Sequence, residues 1–353
     1  MPKGSGAGGE RPRLRTMEEL SVAIGVSRPT LSRYFQDPDS VSRSSRERIA
    51  RGLERVEYVP NFFATRMNRK STGMIGVIIP YLNDLFFTKL QQSIEFAAME
   101  AGFTVIVQCS HTTPEVEARA VETLISMNVD GAIVAPLGDN SDIAAMERLN
   151  RRLPFVLVDS RPGALSHVDY IGTEHSQSMG LMTEYLARVG DPPVFLAMPR
   201  VNFNALNHER AYLEKMEELG LEPQVVGTEE IEPGAHYEAH GELALGREFA
   251  EGRLTDRSII CVNDRVAIGA LRAAARFGLD PGARRKGGLR IAGHDDYPLC
   301  PFLVPSLTTV GQDVDAIGQA AVARLMKKIR AENSLTDHAV TLFPGVLKLR
   351  ESA

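Results

Sequence analysis

Seven short runs rich in Val and Ile recur beyond residue 73, and that recurrence limits the fold more than any other feature of the chain. They read MIGVIIP (74–80), TVIVQ (104–108), GAIVAP (131–136), FVLVD (155–159), VFLAM (194–198), SIICV (258–262) and LRIAG (289–293). Gly, Pro or Asp bounds the runs, and the segments between them carry apolar residues at helical spacing. Strands buried on both faces read as continuous apolar runs, and parallel strands need crossovers. The alternation therefore predicts parallel sheets covered by helices on both sides. So many strands within 74–353 fit two lobes better than one sheet. The first lobe is expected to take 74–170 with 313–338, and the second 171–312 with the C-terminal strand segment.

Residues 16–56 read as three short helices and no strand. In TMEELSVAIGVSRPTLSRYF (16–35), Thr16 with Glu19 is a capping box. Leu20 and Ala23 give the first helix a small apolar side, and Gly25 stands where a tight turn needs positive φ. Val26 fills the space between the helices. Ser27 can cap the second helix, and Pro29 is tolerated in its first turn, where no intrahelical N–H is lost. Leu31 and Phe35 face inward, which leaves Arg28, Pro29, Thr30 and Arg33 outward at the helix start. Ser42 or Ser44 starts a third helix whose Ile49 and Leu53, with Val56, close the core. Arg43, Arg46, Arg48 and Arg51 remain for phosphates. Helix-turn-helix units present the start of their second helix to base edges in the major groove, although short helical pairs also occur in proteins that never touch DNA. Charge favours DNA: residues 1–73 hold 14 Lys and Arg against 8 Asp and Glu, whereas the remainder holds 26 against 37. A basic end on an acidic body fits a polyanionic partner. Residues 1–15, MPKGSGAGGERPRLR, read as a disordered tail.

Several classes are disfavoured. Cys109, Cys261 and Cys300 lack metal-ligand or redox spacing and fit buried thiols in a reducing compartment. No apolar run approaches the roughly 18 residues that span a bilayer. The N-terminus lacks the apolar stretch of a secretory signal, so a cytoplasmic location is expected, with no membrane partner. There is no G-x-S-x-G elbow, no Walker loop, and no G-x-G-x-x-G after the first strand. His294 beside Asp295 has no nucleophile near it in sequence. No enzyme, catalytic residue, cofactor or metal is expected.

The residues Thr16, Leu20, Gly25, Val26, Ser27, Thr30, Leu31, Ser32 and Arg33, followed by Tyr58, Pro60 and Asn61, resemble the lactose-repressor (LacI/GalR) family. Ser21 stands where the family usually has Ala. Asn263–Asp264 and the run from Gly293 to Asp296 continue the resemblance in order to about residue 350. It implies an all-α helix-turn-helix headpiece (16–60), a hinge helix or linker (61–73), and a two-lobed, periplasmic-binding-protein-like α/β domain (74–353) that binds an effector and dimerises. It further implies a homodimer on a pseudo-palindromic double-stranded operator, with DNA contacts from Thr16, Ser27, Arg28, Pro29, Thr30, Arg33 and Asn61. Met67 is the implied wedge into the minor groove, although Phe62, Phe63 and Asn68 depart from the family's hinge pattern.

Ligands of two-lobed α/β domains bind at the carboxyl ends of strands, in the crevice between lobes. Asp159, Asn263 and Asp295 fall at such ends, and Phe86 and Phe87 follow the first strand. The resemblance implies effector contacts from Phe86, Asp159, Asn263, Asp295 and Gln312. It also puts His208 where the family usually has Arg, with Arg210 as a possible substitute. Carboxylates accept from paired hydroxyls and suit an anion poorly, so a neutral sugar or sugar alcohol is expected. The reading is a sugar-controlled DNA-binding regulator, most simply a repressor. The alternatives are a regulator without small-molecule control and a sugar-binding protein without a regulatory role.

Overall fold

The alternation of apolar runs and helical segments becomes two six-stranded sheets. The computed structural model describes residues 11–61, 71–198, 203–228, 236–282, 288–331 and 338–353. The chain divides into two compact units, Met1–Thr72 and Gly73–Ala353.

In the first unit, α1 (Met17–Ile24), α2 (Arg28–Gln36) and α3 (Arg43–Leu53) close on Leu20, Leu31 and Ile49, all fully buried, with Val26 and Val56 beside them. Thr16 and Glu19 form the capping box. Gly25 ends α1 at φ +64°, a value that costs a side-chain-bearing residue energy and glycine little. Two expectations fail here. Ser27 precedes α2, but its hydroxyl makes no capping bond and pairs instead with the Thr30 hydroxyl at 2.8 Å. Beside the three expected helices, β1 (Arg13–Leu14), in the stretch read as a disordered tail, pairs in parallel with β2 (Glu57–Tyr58). Residues 13 and 14 therefore belong to structure rather than to a tail. Two-residue strands are too short to leave a period-2 signature.

In the second unit, all seven apolar runs become strands: β3 (Met74–Ile79), β4 (Thr104–Cys109), β5 (Gly131–Val134), β6 (Phe155–Val158), β8 (Val194–Leu196), β10 (Ser258–Cys261) and β11 (Arg290–Asp295). The expected C-terminal strand segment becomes two strands, β13 (Val340–Phe343) and β14 (Val346–Lys348), and three strands were missed: β7 (Tyr170–Thr173), β9 (Gln224–Val226) and β12 (Thr308–Gly311). One sheet runs β13-β7-β6-β5-β3-β4 and the other β14-β12-β11-β10-β8-β9. Every pairing is parallel except β12 with β14. The C-terminal segment thus serves both lobes, with β13 on the first sheet and β14 on the second. Helices α4 (Leu85–Glu100), α5 (Pro114–Ser126), α6 (Ile143–Arg152) and α11 (Val314–Arg330) cover the first sheet. Helices α7 (His175–Val189), α8 (Phe203–Glu218), α9 (Tyr237–Ala250) and α10 (Asp264–Arg276) belong to the second. Buried Asp169 ties α11 and β13 to the first lobe through Arg324, Lys328 and the Ala339 N–H. Among the described residues no helix is long and apolar enough to cross a membrane.

Candidate functional site

In both sheets the strand order reverses at the strand next to one edge: β3 lies between β4 and β5, and β8 between β9 and β10. Neighbouring crossovers diverge there and leave a crevice at the carboxyl ends. The lining follows that rule. Pro80, Tyr81 and Asp84 come after β3, Pro136 and Leu137 after β5, and Asp159 after β6. From the second lobe come Met198 after β8, Asn263 after β10, Asp295 at the end of β11 and Gln312 after β12. The crevice is narrow and part of it is open to solvent. Phe86, Phe87 and Tyr237 add aromatic walls.

Three groups of polar contacts cross between the lobes. The Asn204 amide donates to Asp159 Oδ1 at 2.8 Å, and the Gln312 amide donates to Asp295 Oδ1 at 2.7 Å. The Thr173 hydroxyl donates to Gln312 Oε1, which joins two of the segments that run between lobes. Asp84 accepts from Arg265 at 3.2 Å and from the Tyr297 hydroxyl. Arg265 also grips Glu238 with two bonds, at 2.7 and 3.0 Å. Asp84, Asp159 and Asp295 line the crevice, and no Lys or Arg does among the described residues. Burial, then the Asp295 and Asp84 charges, push the Asp159 carboxyl up to about 8, against the pull of Asn204. Burial foremost also drives Asp295 well above the ordinary carboxylate range.

The backbone is strained at the same place. Asp159 (φ 64°), Thr112 (φ 54°) and Asp295 (φ 124°) all line the crevice in the positive-φ region, at a cost of order 1–3 kcal/mol each. Gly293 lets Asp264 approach β11: a Cβ there would stand 2.1 Å from the Asp264 carboxylate. Asp264 does not line the crevice; it binds the Thr309 hydroxyl at 2.6 Å and the Tyr297 N–H at 2.8 Å.

Of the seven sequence-picked effector residues, Phe86, Asp159, His208, Asn263, Asp295 and Gln312 line this crevice. Arg210 does not. It is exposed, hydrogen-bonds Asn207 and pairs with Glu214 one helical turn on. Two residues from His208 on a helix, its side chain leaves on a different face. His208 lines the wall with both ring nitrogens occupied, Nδ1 by the Val262 carbonyl and Nε2 by His175 Nδ1, each at 2.9 Å. Sequence reasoning missed Asp84, Asn204, Tyr237 and the Arg265 clasp. Asp84 carried a faint signal, as an N-cap two residues ahead of Phe86.

In the first unit, Thr16, Ser27, Arg28, Pro29 and Arg33 are exposed and Thr30 is half-buried. Thr16 spends its hydroxyl on the Glu19 N–H. Arg28 pairs loosely with Glu18 at 3.4 Å, while Arg33 makes no ion pair among the described residues. Two arginines expected to be left for phosphates are engaged: Arg43 by Glu47 and Arg46 by Asp39. Arg48 donates to the Ile24 carbonyl. Asn61 is exposed; the remainder of the expected hinge to residue 70, including Met67, lies outside the described residues.

Comparison with known proteins gives the same division. Residues 16–61 match the model for bacterial regulatory proteins of the lacI family. Residues 72–344 match the model for periplasmic binding proteins and the sugar-binding domain of the LacI family. The chain is similar to the HTH-type transcriptional regulator MalR of Streptomyces coelicolor, 28% identical over 325 residues that cover 89% of this chain and 90% of that one. The fold resembles a Lac repressor dimer bound to operator and anti-inducer, with a TM-score of 0.81, 24% identity and coverage of 96% and 98%. It also resembles a CelR–cellobiose complex, with a TM-score of 0.65, 21% identity and coverage of 96% and 99%.

Proposed function

The chain belongs to the LacI family of bacterial regulatory proteins, and from that premise we propose a DNA-binding regulator whose operator affinity is set by an uncharged sugar or sugar alcohol in the crevice. The observation that carries the ligand class is the lining: Asp84, Asp159 and Asp295 with amides from Asn204, Asn263 and Gln312, and no cationic side chain among the described residues. Carboxylates and amides accept from and donate to hydroxyls, and aromatic rings cover an apolar sugar face. A phosphate or carboxylate would find carboxyl groups and amides but no cationic side chain in the described lining. His208, where the resemblance places Arg, offers no guanidinium and has both nitrogens engaged.

Because Asp84 on the first lobe is held by Arg265 and Tyr297 on the second, a ligand that alters this clasp alters how the lobes meet. The reading takes the regulator to act as a homodimer on a two-fold operator, with Arg28, Thr30 and Arg33 at the DNA. The test is calorimetric titration of the full chain with pentoses, hexoses, polyols and their phosphorylated forms, beside operator gel shifts with Arg33→Ala. Neutral ligands should bind and change operator affinity, and Arg33→Ala should cost roughly 1–3 kcal/mol of operator binding. Tight binding of a phosphorylated ligand alone would overturn the ligand class. Full operator affinity of Arg33→Ala would overturn the DNA-contact assignment.

A further inference from the structure

Beneath the crevice wall three histidines from three elements meet: His175 at the start of α7, His208 on α8 and His294 on β11. All are buried, and one ring nitrogen of each lies within 4.8 Å of the others. Hydrogen bonding fixes which nitrogens are bare. A backbone carbonyl only accepts, so His208 carries its proton on Nδ1, toward Val262, and its Nε2 accepts from His175 Nδ1–H. That leaves His175 Nε2 bare, buried and without a hydrogen-bond partner. His294 sets Nδ1 against Asp295 Oδ1 at 3.1 Å and Nε2 toward Ser178 Oγ at 3.0 Å. Burial first, then the neighbouring rings, drives His175 and His208 far below the usual imidazole range, and burial brings His294 down to about 4.

Three neutral imidazoles at this separation present nitrogen donors of the kind that d-block cations bind. Two of them already have the outer partners that metal-binding histidines use, a backbone carbonyl on His208 and a carboxylate on His294. The crevice next door adds oxygen-bearing side chains, Asp159 and Asp295 among them, and no Lys or Arg among its described lining. We propose that His175, His208 and His294 bind one divalent d-block cation of the zinc or nickel class at the floor of the crevice. Imidazole nitrogens suit these ions, whereas oxygen-only sites suit magnesium and calcium. On binding, His208 gives Nε2 and His294 gives Nε2, with small ring rotations. His175 gives Nδ1 as its proton moves to Nε2, so this ring releases no net proton. The site departs from the sequence-based expectation of no metal, because residues 33 and 86 positions apart leave no short ligand motif.

The test uses the full chain, dialysed against chelator and titrated with Zn2+ and Co2+ in the absence of any sugar, so it reads the metal site alone; a bound cation would in turn offer an anionic effector the partner that the lining side chains do not. Uptake should saturate near one cation per chain and raise the melting temperature. In the unaltered chain Co2+ should give visible bands of a nitrogen-rich, low-coordinate site without a thiolate charge-transfer band. His208→Gln and His294→Gln should each weaken Zn2+ binding at least about tenfold, while His167→Gln at the surface should not. Absence of saturable uptake by the unaltered chain overturns the proposal, as does a six-coordinate Co2+ spectrum. Undiminished uptake by a folded His208→Gln variant, or loss only in His167→Gln, does the same.

Discussion

The two polar surfaces of this protein are built on opposite terms. In the headpiece, Arg28 and Arg33 stand on a single short helix in full contact with water, above a core of five buried apolar residues. In the crevice, Asp84, Asp159 and Asp295 come from three strand ends in two lobes and are withdrawn from water, with strained backbone at two of them. Exposed cations on a helix face cost little to hold and await a polyanion. Recessed carboxylates carry a desolvation penalty that only satisfied hydrogen bonds offset. The headpiece can therefore be read residue by residue, whereas the crevice works through contacts between lobes.

That contrast predicts where single changes hurt. Arg265→Ala leaves Asp84 and Glu238 without their cation and should destabilise the second unit by about 3–5 kcal/mol, measured by chemical denaturation. A loss within 0.5 kcal/mol would mean that the clasp is ornamental. Ile49→Ala opens a cavity in the small headpiece core at about 2–5 kcal/mol. Calorimetry should show the headpiece transition abolished, with that of the unit 73–353 in place; a joint fall would couple what the comparison separates.

Asp159→Asn probes the buried charge itself. The folded value of about 8 lies above the unfolded 3.8, so this group favours folding in its protonated form, and that contribution is lost as pH rises from about 4 to 8. Asparagine cannot ionise, and its Oδ1 can still accept from Asn204. Each pH unit between folded and unfolded values is worth about 1.4 kcal/mol. The variant's advantage over wild type should therefore grow through this range, by about 1 kcal/mol or more per pH unit, and be larger at pH 8 than at pH 5, while its sugar binds more weakly. Parallel melting profiles from pH 5 to 8 would remove the buried-charge argument. The smallest effect is expected at the headpiece surface, where Thr16→Ala removes one cap and should cost about 1 kcal/mol. An effect several times larger, with the fold intact, would point to a further role for the Thr16 hydroxyl.

Much of this organisation was legible in the chain. The capping box, the positive-φ Gly25 and the Leu20, Leu31 and Ile49 core follow from residues within one or two helical turns of each other. Most of the seven apolar runs became strands buried on both faces, which leave no place for a polar residue; β4 is the half-buried edge strand among them. Other strands escaped: β9 is a short, half-exposed edge strand, and β7 and β12 are buried interior strands whose Thr and Gly break up the Val and Ile run. Strand-end polar residues marked one rim of the crevice. Asp84 and Arg265, 181 positions apart, gave no sign of their pairing.

What the sequence determined by itself is local: which segments are helix or strand, which helix start is basic, and which polar residues end a buried strand. These properties depend on neighbours a few positions away, through backbone geometry and burial. Tertiary structure alone decided which strand ends share a crevice, that Arg210 points away while His208 stays, and that three histidines from three elements converge. Such choices depend on the distances between elements and on the dielectric they jointly create. No short stretch of chain carries that information, since removing water from a carboxylate or an imidazole is the work of the whole fold.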